Sequence, residues 1–219
     1  MNQEIRQIAL GFVNTYLVKV EGGHLLIDTG LGEQWSRLET ELRGAGCLPE
    51  QLKLVVLTHG DVDHAGNCDT LQQKYGVKVA MHAGDAEMVR TGRFGRRRAK
   101  GITFKVLHWF GGRARRNFRI FEPDILLEHG QTLNQYGLSA RIIHAPGHTK
   151  GSIAILTEDG QLFAGDTVSN RDKPDSAPFI ENAEQLRDSL TLLKGLGART
   201  VYPGHGKPFS AQAMASITV

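Results

Sequence analysis

Apolar residues fall along this chain at two kinds of spacing, and their alternation outlines the fold. Phe12 to Val20 and His24 to Asp28 read as two strands, with Glu21-Gly22-Gly23 turning the chain between them. Trp35, Leu38 and Leu42 recur at helical spacing, and that stripe stops at Gly44. The run Leu52-Lys53-Leu54-Val55-Val56-Leu57 is apolar almost throughout and predicts a buried strand. A helix from about Ala65 to Tyr75 and a short strand over Val77 to Met81 follow it. After a long segment to about Glu122, Leu186, Leu190, Leu193 and Leu196 form another helical face near the C-terminus. Strands and helices thus alternate, an α/β pattern.

The buried strand ends on Thr58-His59-Gly60-Asp61-Val62-Asp63-His64-Ala65-Gly66-Asn67, which puts four metal-ligand side chains into six consecutive positions. Packing does not account for that density, because each uncompensated polar group at a buried strand end would cost roughly 2–7 kcal/mol. A metal ion would compensate them. Three more strand-like runs end in Gly-marked turns that carry a His or Asp. These are Ile142-Ile143-His144-Ala145-Pro146-Gly147-His148-Thr149, Leu162-Phe163-Ala164-Gly165-Asp166-Thr167 and Thr200-Val201-Tyr202-Pro203-Gly204-His205-Gly206. Gly allows the sharp turn that aims the next side chain inward, and Pro presets it.

With Leu26-Ile27-Asp28-Thr29-Gly30 added, these motifs stand in the order found in the metallo-β-lactamase superfamily, which the chain resembles over nearly its whole length. The resemblance implies an αβ/βα four-layer sandwich, two mixed β-sheets face to face with helices on the outer faces and the metal loops along one edge. It also implies two divalent metal ions. His59, Asp61 and His148 would hold one, Asp63, His64 and His205 the other, and Asp166 would bridge them, with Asp63 also taking a catalytic part. A metal-bound water or hydroxide between the ions would be the nucleophile. The family usually carries His-x-His-x-Asp-His, and here Asp61 replaces the second imidazole. That exchange leaves a neutral cluster where the usual pattern keeps one positive charge. It also adds a harder oxygen ligand, so iron or manganese stand beside zinc, the first expectation.

Other polar residues near the motifs have ordinary readings. Asp28 is expected to orient the metal loop rather than to bind metal. His144 is expected to hydrogen-bond at its strand end, and His82 either caps an element or reaches the cleft. His24, His108 and His129 have no motif around them. Cys68 falls on the apolar spacing of its helix and Cys47 lies in a different element, so two reduced thiols are expected rather than a disulfide.

Composition fits one domain spanning 1–219. The 219 residues are 40% hydrophobic and 22% charged, enough to bury a core, with no Ser/Pro-rich linker. No basic-then-apolar leader opens the chain and no run approaches the ~20 apolar residues of a membrane span, so a cytoplasmic location is expected. The net charge of +3 hides a strong asymmetry. Residues 90–119 hold eleven Lys or Arg and no acid, leaving 15 basic against 23 acidic side chains elsewhere. Phe94, Phe104, Trp109, Phe110 and Phe118 interleave with them. This insert, at about 90–122, suits an anion-binding segment beside the cleft, with Arg96, Arg97, Arg98 and Trp109 as the candidate substrate contacts. A solvated basic loop and a nucleic-acid or acidic-membrane surface are the competing readings.

The function expected is a metal-dependent hydrolase of a small, anionic ester, thioester, lactone or phosphodiester. The alternatives are an iron-dependent oxidoreductase, similar to sulfur dioxygenases or diiron proteins, and an RNA-processing nuclease. Oligomeric state is not legible.

Overall fold

The computed structural model describes residues 4–94, 98–99 and 115–219. Two sheets carry the architecture. The first opens as an antiparallel meander of β1 (Ile5–Leu10), β2 (Val13–Val20) and β3 (Gly23–Ile27). It continues in parallel through β4 (Leu52–Val56), β5 (Val79–His82) and, past the short β6 (Arg98–Ala99), β7 (Ile125–Leu127). The second sheet uses β8 (Ala140–His144), β9 (Ile153–Thr157) and β10 (Gln161–Gly165). After the short β11 (Val168–Ser169), β12 (Asp175–Ser176) and β13 (Phe179–Ile180), β14 (Thr200–Pro203) joins β10 in parallel and β15 (Phe209–Ser210) closes the edge.

The strand period of two sorts side chains between the layers. In β3, Leu25 and Ile27 face the second sheet while Leu26 faces outward. Leu25, Ile27, Leu54 and Val56 meet Ile142, Ile153, Ile155 and Phe163 in the inter-sheet core. On the outer face of the first sheet lie Leu38 and Leu42 of α1 (Trp35–Gly44), then Cys68 and Leu71 of α3 (Cys68–Tyr75), which follows the single turn α2 (Val62–Ala65). After α4 (Ala83–Thr91), α5 (Ala183–Lys194) covers the second sheet with Leu186, Leu190 and Leu193. The result is the expected helix–sheet–sheet–helix sandwich of two mixed sheets. No helix among the described residues is long and apolar enough to cross a membrane.

Several elements differ from expectation. β1, α4, β7 and β9 are additional, and the helix predicted from about Ala65 to Tyr75 breaks at Gly66-Asn67. The break has a cause: Gly66 N donates to Gly30 O, and Asn67 Nδ2 donates to the carbonyls of Thr29 (2.7 Å) and Leu31 (2.9 Å). Those bonds tie the metal-motif turn to the loop after β3. Cys47 and Cys68 are buried free thiols, and burial pushes Cys47 up to about 11.

Of the candidate substrate contacts, Arg96, Arg97 and Trp109 lie outside the described residues. Arg98 is placed through its backbone alone, where it pairs with Ile180.

Candidate functional site

All the motif turns open at one edge of the sandwich, where the C-terminal ends of β3, β4, β10 and β14 come together. Asp28 directly follows β3 and takes a left-handed φ of +59°. In that conformation Oδ1 accepts Thr58 N (2.8 Å), while Oδ2 accepts the Thr58 hydroxyl (2.8 Å) and His64 Nδ1 (2.9 Å). Asp28 therefore joins the ends of β3 and β4 and orients His64, as its motif position suggested.

Every imidazole at this edge is fixed from behind. His59 Nδ1 is 3.0 Å from Thr58 Oγ1, which already donates to Asp28. His148 Nδ1 donates to Phe179 O and His205 Nδ1 to Phe12 O, both at 2.6 Å. With all four Nδ1 atoms engaged, the Nε2 atoms of His59, His64, His148 and His205 turn toward one point. That is how metal-binding imidazoles are held.

Three carboxylates enter the same space. Asp61 Oδ2 lies 3.1 Å from His148 Nε2 and 3.4 Å from His59 Nε2. Asp63 Oδ2 lies 3.5 Å from His205 Nε2 and 3.9 Å from His64 Nε2. Asp166 stands between the two sets, with Oδ1 3.4 Å from His64 Nε2, and Oδ2 3.1 Å from His205 Nε2 and 3.7 Å from His148 Nε2. Gly204 permits the close approach on this side, since a Cβ there would come within 2.2 Å of Asp166 Oδ1.

Electrostatics follow from these neighbours. Burial lowers His59, and the nearby rings of His64 and His148 lower it further. Burial also pulls on His64, but Asp166, Asp28 and Asp63 outweigh it and hold that ring well above the ordinary imidazole range. His205 is raised against burial by Asp166 and Asp63. Asp166 is held well below the usual carboxylate range, its burial overcome by His205 and His64.

The donor set suits metal ions. Each of the groups His59–Asp61–His148, Asp63–His64–His205 and His59–His64–Asp166 brings three ligand atoms within 4.8 Å of one another. His59 Nε2, His64 Nε2 and Asp166 Oδ1 are buried without a hydrogen-bond partner. Three such orphans facing one centre would each cost about 1–3 kcal/mol if nothing compensated them. Divalent metal binding fits that space and that nitrogen–oxygen donor set.

Two further histidines take supporting places. His144 Nε2 donates to Lys150 O (2.9 Å), and His82 Nδ1 accepts from Gly84 N to cap α4, its ring stacked on His144. Three residues absent from the sequence reading also matter, Asn14 and Tyr16 on β2 and Asp85 on α4. Asn14 Nδ2 donates to Pro203 O (3.0 Å) and Gly206 O (2.7 Å), while the Tyr16 hydroxyl donates to Pro203 O (2.6 Å), so β2 fixes the turn that carries His205. A buried Asn inside an apolar strand was the available signal. Asp85 is buried in the first turn of α4.

Residues 8–205 match the family model described as the metallo-beta-lactamase superfamily. The chain is 28% identical to human "Acyl-coenzyme A thioesterase MBLAC2", over 92% of this chain and 75% of that protein. It is 26% identical to an "Atrochrysone carboxyl ACP thioesterase" of Aspergillus fumigatus, over 91% of this chain and 52% of that one. The crystal structure of a metallo-beta-lactamase family protein from Thermus thermophilus superposes with a TM-score of 0.73 at 27% identity, covering 97% of this chain and 77% of that chain. With its motifs, fold and site geometry in agreement over that span, the chain belongs to the metallo-β-lactamase superfamily.

Proposed function

We propose that this protein hydrolyses a small anionic acyl thioester at a two-metal site. The observation that carries the reading is the convergence of four imidazoles and three carboxylates whose inward atoms include three buried without any other partner. His59, Asp61 and His148 would hold one ion, Asp63, His64 and His205 the other, with Asp166 between them. Bound divalent ions supply Lewis acidity, which makes water acidic near neutral pH and polarises a carbonyl.

The residues of the chain do the rest. Hydrolysis forms a carbon–oxygen bond from water and breaks the carbon–sulfur bond, releasing a thiol and a carboxylic acid that gives its proton to solvent. Asp63 is the most exposed of the three carboxylates, 20% against 15% for Asp61 and 5% for Asp166. It is therefore placed to take the proton of the attacking water and return it to the departing thiolate. The Asp28, Phe12 and Phe179 acceptors keep the Nε2 atoms of His64, His205 and His148 directed inward throughout.

An anionic carrier is supported by a cavity of about 380 Å³ flanking the metal-motif turn, lined among others by Leu31, Trp35, Val62, Lys74, Phe118 and Arg119. Its apolar walls carry Lys74 and Arg119 against one acid, Glu33, a net positive lining that suits an organic group bearing phosphate. The two thioesterase relatives act, by name, on thioesters of coenzyme A and of an acyl carrier protein.

The test is thiol release from acyl-coenzyme A, from a neutral acyl thioester of the same acyl group, and from lactone and phosphodiester controls, with metal content measured on the same preparation. Acyl-coenzyme A should be the preferred substrate, and replacing Lys74 and Arg119 together by Ala should raise its KM while leaving the neutral thioester nearly untouched. Turnover of a phosphodiester without thiol release, or iron content with oxygen consumption, would reject the reading.

A further inference from the structure

Asp85 lies in the first turn of α4, outside every metal-motif segment, and is 1% exposed. A carboxylate so buried is retained only where its lone pairs are used. Here Oδ2 accepts Gly60 N at 2.9 Å and the Thr149 hydroxyl at 2.7 Å, while Oδ1 accepts Gly151 N at 2.9 Å. Gly60 separates His59 from Asp61, and Thr149 directly follows His148. One side chain therefore ties together the two loops that carry His59, Asp61 and His148. The fit is close, since a Cβ on Gly151 would stand 2.5 Å from Asp85 Cγ. Ser152 completes the clasp, its hydroxyl 2.7 Å from that of Thr149 and accepting Thr149 N at 3.1 Å.

We propose that Asp85 is a positioning residue that sets the separation of His59 and Asp61 from His148, and so governs metal binding in that half of the site without touching it in the other. This rests on the two-metal reading above. The opposite half is held by different groups, Asp28 behind His64 and Phe12 O behind His205, and none of these contacts Asp85. A residue with only a general structural role would not respect that division.

Asp85→Asn is the sharp variant, because an amide offers one oxygen where the clasp uses two. In either orientation its NH2 group faces a donor, Gly151 N–H or the pair Gly60 N–H and Thr149 O–H. Thr149→Val is the milder one, removing the hydroxyl's bonds to Asp85 and Ser152 at nearly constant volume while leaving the bonds from Gly60 N and Gly151 N to Asp85 in place. Both are to be titrated with zinc against a competing chelator, and with cobalt(II) followed by visible absorption, alongside thermal unfolding of the metal-free proteins.

The expected result is two binding steps in the unaltered protein, of which Asp85→Asn weakens one by roughly 10- to 100-fold and Thr149→Val weakens the same one by about tenfold or less. The cobalt spectrum should change for that step alone. Unchanged steps, or both steps weakening together with metal-free stability, would overturn the proposal. Should Asp85→Asn fail to fold, Thr149→Val decides by the same two outcomes. Fewer than two binding steps in the unaltered protein would instead reject the two-metal reading itself, and this inference with it.

Discussion

On one side of Asp166, His59 rests on a threonine hydroxyl and His148 on a main-chain carbonyl; on the other, His64 rests on the Asp28 carboxylate and His205 on a main-chain carbonyl. The charges divide the same way. His59 is lowered by burial and by its histidine neighbours, whereas His64 and His205 are raised by Asp166 and Asp63, with Asp28 adding to the effect at His64. Carboxylates that hold protons on two imidazoles will hold a cation in their place once those protons leave. On the two-metal reading, the half built on Asp63, His64 and His205 would attract a divalent ion chiefly by charge. The half built on His59, Asp61 and His148 would rely more on geometry, which is the part proposed for the Asp85 clasp.

The largest effect should come from the residue both halves share. Asp166→Asn removes the carboxylate that compensates His64 and His205, leaving their positive charge buried. Metal-free stability should fall by about 3–5 kcal/mol, the usual cost of breaking a buried ion pair from one side. Both ions should be lost, and thioester turnover with them. Denaturant unfolding and elemental analysis of the purified variant check this. Retention of one full equivalent of metal would mean that the halves do not share Asp166.

A smaller effect should separate the halves. Asp28→Asn keeps a residue type that tolerates the left-handed φ of +59°, so it alters the charge behind His64 with little backbone penalty. Affinity should fall roughly 10- to 100-fold in the Asp63–His64–His205 half, which Asp28 contacts directly, and by less in the other half, where it acts on His59 only through the Thr58 hydroxyl. Asp61→His acts on the other half. It exchanges an oxygen ligand for the family's usual imidazole, so competition between zinc and manganese should shift toward zinc and thioester turnover should rise. If Asp28→Asn and Asp61→His weaken or strengthen the same binding step, the halves are not independent.

How much of this was legible in the sequence depends on range. The metal motifs are short runs whose chemistry is local, and His59, Asp61, Asp63, His64, His148, Asp166 and His205 all reach one point as their turns suggested. The Leu186–Leu190–Leu193 face of α5 was readable for the same reason, three to four residues being one helical turn. β1 was not, because only Ile8 and Leu10 of its six residues are buried and its existence depends on pairing with β2. α4 buries little beyond Ala86, Val89 and Asp85, too thin a stripe to stand out. Asn14 and Asp85 were missed for a third reason. Their meaning lies in partners far along the chain, Pro203 at 189 residues from Asn14 and Gly151 at 66 from Asp85; the polar Asn14 inside an apolar run was a local sign, but no local pattern names such a partner.

The smallest effect tests the electrostatic side of the asymmetry through pH. In the metal-free protein, a ring whose folded pKa lies above its unfolded value of about 6.5 contributes stability that is fully present below about pH 6.5 and is lost as pH rises through the folded value. His64 and His205 are of this kind. His59 is the reverse, its depressed pKa making folding more favourable as pH rises toward about 6.5. Asp166 contributes above the ordinary carboxylate range and loses that contribution only as pH falls through its depressed folded value. Metal-free stability should therefore decline from about pH 6.5 upward as His64 and His205 lose their protons. The metal-loaded protein should move the other way, because ion binding displaces those protons and strengthens as they become easier to remove. Thermal unfolding of both forms across this range should show the gap between them widening with pH, and Asp166→Asn should flatten the metal-free slope. A metal-free protein that grows more stable above that pH would mean that the carboxylates do not hold charge on His64 and His205, and the contrast between the halves would reduce to geometry alone.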